Sequence, residues 1–138
     1  MTNEISTTGR VPLSRGQVVT VVVYGVVLWF LAALTCRFLA PMGVFDGMNR
    51  VILYAAIWPG TVPFVFLAMK IARLSRSQIG IAYSIATAAA MLCDGVALAW
   101  FPALYGTKVE YIAASGAVIL WGAGVGIILA CLWNKADN

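Results

Sequence analysis

Four long apolar runs dominate the sequence and restrict its fold more than any other feature. They cover residues 18–38, 51–69, 79–101 and 112–133, so each has 19 to 23 residues. An α-helix needs about 20 residues to cross the hydrocarbon core of a bilayer. Lipid offers the backbone no hydrogen-bonding partners, so a run of this length is expected to be helical despite its many valines. The sequence predicts an all-α bundle of four transmembrane helices, arranged as two antiparallel helical hairpins.

Composition supports a membrane protein with a single domain. The chain has 138 residues, of which 62% are hydrophobic and 10% are charged, whereas soluble domains are about half apolar and a quarter charged. A soluble core could not bury this much apolar surface. We expect a polar cytoplasmic tail over residues 1–16, a four-helix membrane domain over 17–133 and a short cytoplasmic tail over 134–138.

The basic residues predict which side of the membrane each segment occupies. Lysine and arginine concentrate in the cytoplasmic segments of membrane proteins. If the four runs alternate in direction, six basic residues fall on one side and three on the other, which places both termini in the cytoplasm. The two groups are Arg10, Arg15, Lys70, Arg73, Arg76 and Lys135 on one side, and Arg37, Arg50 and Lys108 on the other.

The net charge of +4 favours membrane lipids over nucleic acids as partners, because the basic residues lie in short segments between apolar runs. Lys70, Arg73 and Arg76 are expected to act as a topology signal beside lipid headgroups. We expect no nucleic-acid partner. At the opposite side, the expected aromatic belt consists of Trp100, Phe101, Tyr105 and Tyr111.

Asp94 is an ionisable residue inside the third apolar run. A carboxylate within the hydrocarbon costs several kcal/mol unless it is paired, protonated or wetted, so such residues usually face the bundle interior. Asp94 continues a stripe of small residues at helical spacing, formed by Ala82, Ala86, Ala90 and Ala97. Small residues at this spacing let helices approach closely in lipid, so Asp94 is expected to face protein.

Three interpretations of Asp94 remain open. It could form a buried ion pair with Arg37, which ends the first run and can bind a carboxylate through its planar guanidinium. It could be a proton or cation site, beside carbonyls loosened by a helix kink at Pro59, Gly60 and Pro63. It could also reach water through a crevice. The first interpretation is preferred, because buried ions are normally paired.

The fourth run contains a further packing pattern. Gly122 and Gly126 are four residues apart, as in helices that pack closely in membranes. We expect this face to pack against other helices of the same bundle. The alternative is that it forms a contact in a homo-oligomer or a larger membrane complex.

The residues of known catalytic and metal sites are scarce. The chain has three cysteines, no histidine and no Cys-x-x-Cys motif, and Asp94 has no second carboxylate within the apolar runs. We therefore expect no catalytic residues, no metal, no cofactor and no enzymatic activity.

Five short motifs are Leu28-Trp29, Thr35-Cys36-Arg37-Phe38, Met91-Leu92-Cys93-Asp94, Phe101-Pro102 and Leu120-Trp121. Together they resemble an uncharacterised family of small bacterial four-helix inner-membrane proteins. The resemblance implies a tetraspan fold in the inner membrane and the arginine and aspartate positions at Arg37 and Asp94, but no activity. Ala89-Ala90 stands where that family tends to carry Pro-Gly, so a helix break there is not expected.

Two functions fit these features. The preferred one is a non-enzymatic accessory or interaction protein of the membrane, with a structural Arg37–Asp94 pair. The alternative is a transporter of small solutes, ions or protons that uses Asp94 as its intramembrane site.

Overall fold

The protein contains four long helices, seen in a computed structural model that describes residues 12–135. No strand occurs within that range, and all four helices are long and apolar enough to cross a membrane. The predicted all-α four-helix bundle is therefore confirmed, although most of the predicted tails, including Arg10, lies outside the described residues. The helices are α1 (Arg15–Leu39), α2 (Gly47–Ile71), α3 (Ile79–Trp100) and α4 (Val109–Trp133).

The order of packing differs from the order in the chain. α1 packs mainly on α3, α3 packs on α4, and α4 packs on α2. α3 and α4 therefore pack as one of the expected hairpins, whereas α1 and α2 touch only slightly. One link between α1 and α2 is the Tyr24 hydroxyl, which donates a 2.6 Å hydrogen bond to the carbonyl of Phe64.

Small residues explain why α1 packs so closely on α3. Gly25 of α1 lies directly against the backbone of Ala86, and a Cβ at Gly25 would overlap the Ala86 carbonyl. On α3 the predicted small-residue stripe faces the protein, since Ala82, Ala86 and Ala97 are buried and Ala90 is half-buried. The two helices can therefore approach until their backbones touch.

The helix ends meet in two separate groups. At one end, Gln17 near the start of α1 donates a 3.1 Å hydrogen bond to the carbonyl of Arg73 after α2. At the same end, the Lys135 amide after α4 donates to the Arg76 carbonyl before α3. We call this the basic end, because it carries Arg15, Lys70, Arg73, Arg76 and Lys135. The opposite end, which we call the Asp94 end, carries Arg37, Arg50 and Lys108.

The outer surface of the bundle is apolar. Only 11–22% of each membrane-length segment is buried inside the protein, and α2 is the least covered. Bulky side chains such as Leu92, which is 74% exposed, point outward. Lipid satisfies such a surface, whereas water would not. The protein is thus a multi-pass membrane protein.

The contact at Gly25 makes a prediction about stability. Gly25→Ala should lower the free energy of unfolding by about 1–3 kcal/mol, because the added methyl forces α1 and α3 apart. Unfolding by SDS in mixed micelles, followed by tryptophan fluorescence, would measure the change. Gly95→Ala on α3 is the matched control, since a Cβ there meets open space. Equal effects of the two substitutions would show that the Gly25 contact does not constrain the bundle.

Candidate functional site

The candidate site is a hydrogen-bonded group centred on Asp94. Asp94 lies on α3 and is 7% exposed. A short turn over Pro102–Leu104 follows α3 and returns the chain toward the bundle, so that Tyr105 is fully buried. The Tyr105 hydroxyl donates a 2.5 Å hydrogen bond to Oδ1 of Asp94, and Nε1 of Trp29 on α1 donates a 3.0 Å bond to the same hydroxyl.

Two further residues complete the group. The Ser115 hydroxyl of α4 is fully buried and lies 3.5 Å from the Tyr105 carbonyl, to which it donates. Cys36 of α1 is buried beside Ser115. We call these five residues the Asp94 cluster; three of the four helices and the α3–α4 turn contribute to it. Within residues 12–135, every buried side-chain nitrogen and oxygen has a hydrogen-bond partner.

Tyr105 is a stable hydrogen-bond donor in this setting. It lies in the turn between the membrane-length segments of α3 and α4. Burial raises the pKa of Tyr105 above its usual value, and the hydrogen bond to Asp94 raises it further. A phenol with a raised pKa keeps its proton at neutral pH, so Tyr105 can donate to the carboxylate without introducing a second charge.

The expected ion pair between Arg37 and Asp94 is not formed. Arg37 is exposed, and its Nη1 donates to the carbonyl of Ala103 in the turn after α3. Across residues 12–135 the structure contains no ion pair that joins Arg37 to Asp94; the partner of Asp94 is Tyr105. An exposed guanidinium stays hydrated and needs no buried counter-charge. The phenol also spares the bundle the cost of burying a second ion.

A groove beside Asp94 bears on the interpretation that Asp94 reaches water through a crevice. An open groove of about 630 Å³ lies beside the Asp94 cluster and is lined by apolar side chains, among them Trp29, Val96, Phe101 and Leu104. Asp94 itself is not part of the lining. An apolar groove of this kind suits an acyl chain and offers water few polar partners. It therefore gives no support to a wet path to Asp94.

The prolines of α2 do not contribute to the Asp94 cluster. α2 continues without interruption through Pro59 and Pro63, which are exposed together with Gly60. Each proline removes one backbone donor. Close to Pro59, Nε1 of Trp121 on α4 donates a 3.1 Å hydrogen bond to the Tyr54 carbonyl. The kink of α2 stays a prediction, but the polar partners of Asp94 come from α1 and the α3–α4 turn instead.

The glycines of α4 pack inside the bundle. Gly126 is buried, and a Cβ there would lie 2.7 Å from the ring of Tyr83 on α3. Gly122 is half-buried, and a Cβ there would lie 3.9 Å from Ile57 on α2. Gly126 therefore leaves room for a tyrosine of the same chain, as expected for packing within the bundle.

The aromatic belt needs one correction. Trp100 and Phe101 are exposed and Tyr111 is half-buried, but Tyr105 is fully buried and binds Asp94. Sequence reasoning missed Tyr105 and Trp29 as partners of the acid. The available signal was Pro102, which ends α3 and lets the next residues fold back under the bundle. That signal predicts a turn, but not which side chain enters the core.

The comparisons add no family or neighbour. No protein family model, curated protein or solved structure matches the chain. The resemblance to a bacterial tetraspan family stays a prediction. Within the part of the chain that the structure describes, no group of three or more His, Cys, Asp or Glu side chains could hold a metal ion.

The geometry predicts which pairs of residues are energetically coupled. In a double-mutant cycle, Tyr105→Phe and Asp94→Ala should show a coupling of about 1 kcal/mol or more, because each removes the same hydrogen bond. Arg37→Ala and Asp94→Ala should be additive within about 0.5 kcal/mol, because they share no contact. SDS unfolding of the single and double variants would measure both cycles. A larger coupling with Arg37 than with Tyr105 would contradict the observed partners.

Proposed function

We propose that this multi-pass membrane protein is a non-enzymatic accessory or interaction protein of the inner (plasma) membrane, with both termini in the cytoplasm. The observation that carries the proposal is the hydrogen bond from Tyr105 to Asp94, supported by Trp29. This arrangement makes the intramembrane carboxylate a fastening point for the α3–α4 turn.

The fastening role accounts for the polar atoms of the cluster. Tyr105 receives a hydrogen bond from Trp29 of α1, donates to Asp94 of α3 and accepts from Ser115 of α4 through its carbonyl. A typical hydrogen bond contributes about 0.5–1.5 kcal/mol, which adds to the packing that holds the turn in place. A nucleophile with a neighbouring general base would support an enzyme, but the cluster offers a phenol that already donates to the carboxylate.

The outer surface supports an interaction role. α2 packs on α4 and leaves most of its length uncovered. Ala56 and Gly60 are exposed on α2 with the four-residue spacing that favours close helix contact in membranes. The proposed partners are membrane lipids and other membrane helices, either in a homo-oligomer or in a larger complex. Nucleic acid is not among the proposed partners.

A transporter of ions, protons or small solutes is the second candidate. The observation in its favour is that the partner of buried Asp94 is a phenol rather than a basic residue. An acid without a counter-ion can take up a proton without leaving a buried charge of opposite sign unpaired. The apolar groove beside the cluster favours the accessory role, since it excludes Asp94 from its lining.

A flux experiment separates the two candidates. Proteoliposomes with a trapped pH-sensitive dye should acidify at the same rate with wild-type protein, with the Asp94→Asn variant and without protein. Asn keeps an acceptor for Tyr105, so the fold should survive the change. If acidification requires the wild-type protein and is lost in Asp94→Asn, the protein is a proton transporter rather than an accessory protein.

The proposed orientation can be tested by cysteine labelling. In a chain whose three native cysteines are changed to alanine, Thr107→Cys should react with a membrane-impermeant maleimide on intact cells. Lys135→Cys should react only after the membrane is opened. Both positions are exposed and lie at opposite ends of the bundle. Labelling of both from the outside, or the reverse pattern, would overturn the proposed topology.

A further inference from the structure

Among the residues that the structure describes, the basic end carries positive charges only. Its five basic residues are all exposed, and they come from the start of α1, the end of α2, the segment between α2 and α3, and the residues after α4. The described carboxylates lie elsewhere, since Asp46 and Glu110 begin helices at the Asp94 end and Asp94 is buried. Five cations without a described acid among them repel one another, so an anion at this surface would stabilise it.

Hydrogen bonds between distant segments bring these residues to one end of the bundle. Gln17 lies two residues after Arg15. Its side-chain Nε2 donates one hydrogen bond to the Arg73 carbonyl and another, of 3.3 Å, to Oε1 of Gln78. The Lys135 amide donates to the Arg76 carbonyl over 3.3 Å. The surface is therefore assembled by tertiary contacts from segments distant in sequence, rather than by one run of basic residues.

Arg73 supplies an independent sign that this surface has a use. It follows α2 with a φ of 50°, the left-handed conformation that glycine adopts most easily. The Leu74 amide donates a 2.9 Å hydrogen bond to the Met69 carbonyl, as at helix ends that normally carry glycine in this position. An arginine held there keeps backbone strain that glycine would relieve. Backbone strain of this kind clusters at active sites and ligand-binding segments.

We propose that the basic end is a binding surface for the phosphate headgroups of anionic phospholipids. Arg15, Arg73 and Arg76 each carry a guanidinium fork that can bind two phosphate oxygens, and Lys70 and Lys135 add charge around them. Helices that cross the bilayer place this end at the headgroup level. The proposal depends on the membrane location of the chain and is independent of its accessory role.

The test compares lipid compositions at a constant protein concentration. Full-length protein in phosphatidylcholine mixed micelles should show a higher Tm when phosphatidylglycerol is added, and a smaller increase at high salt. Inorganic phosphate at the same concentration should leave the Tm unchanged, since it lacks the local concentration of a membrane surface. An equal increase with inorganic phosphate would overturn the assignment to lipid and indicate a general anion site.

Paired variants assign the effect to the basic end. Arg73→Gln with Arg76→Gln should raise the phosphatidylglycerol fraction needed for half of the Tm increase by about tenfold or more. Arg50→Gln with Lys108→Gln removes the same charge from the Asp94 end and should leave that fraction within about twofold of wild type, since the proposal gives this end no headgroup site. Equal effects of the two pairs would overturn the proposal.

A single substitution separates the charge of Arg73 from its backbone strain. Arg73→Gly should raise the Tm in pure phosphatidylcholine, because glycine adopts the left-handed conformation without strain. The same variant should respond less to phosphatidylglycerol than wild type, whereas Arg73→Lys should keep most of the response. If Arg73→Gly responds to phosphatidylglycerol as wild type does, Arg73 is not part of a headgroup site.

Discussion

The close approach of α1 and α3 is the constraint on which the rest of the structure depends. Gly25 allows the backbone of α1 to lie against Ala86, and the same face of α3 continues to Asp94. This face is covered by α1 along its length, so lipid is kept away from the carboxylate. Trp29, one helical turn after Gly25, is then in position to support Tyr105. The Asp94 cluster can form because Gly25, one turn before Trp29, lets the backbones of α1 and α3 come into contact.

The sequence predicts the spans and the facing of α3 because both follow from helix geometry. Apolar run length gives the number of helices, and the spacing of Ala82, Ala86 and Asp94 gives the buried face. The partner of Asp94 could not be predicted in this way. Its choice depends on how residues 101–108 turn after α3, and periodicity says nothing about an irregular turn. Arg37 was the basic residue expected closest to Asp94 in membrane depth, but depth alone does not determine where its side chain points.

The prediction of two hairpins was limited for a related reason. Short connections place consecutive helices side by side in many bundles, and α3 with α4 follows that tendency. α1 departs from it because the small-residue face that fits Gly25 belongs to α3. Which helices pack together in a membrane depends on small residues that let two backbones approach. Bulky apolar side chains favour no particular partner, because lipid solvates them as well as a neighbouring helix does. Gly25 has no four-residue glycine repeat around it, so its role was hard to read from the sequence.

The order in which the helices pack has a consequence for biosynthesis. α1 and α2 leave the ribosome first but have little contact with each other, and each packs mainly on a helix that is made later. The first two spans must therefore remain in the bilayer as separate helices until α3 and α4 are inserted. Closure of the bundle is a late event that joins segments far apart in the chain, and such contacts are slow to form. During that interval the contact faces of α1 and α2 are open to other membrane helices.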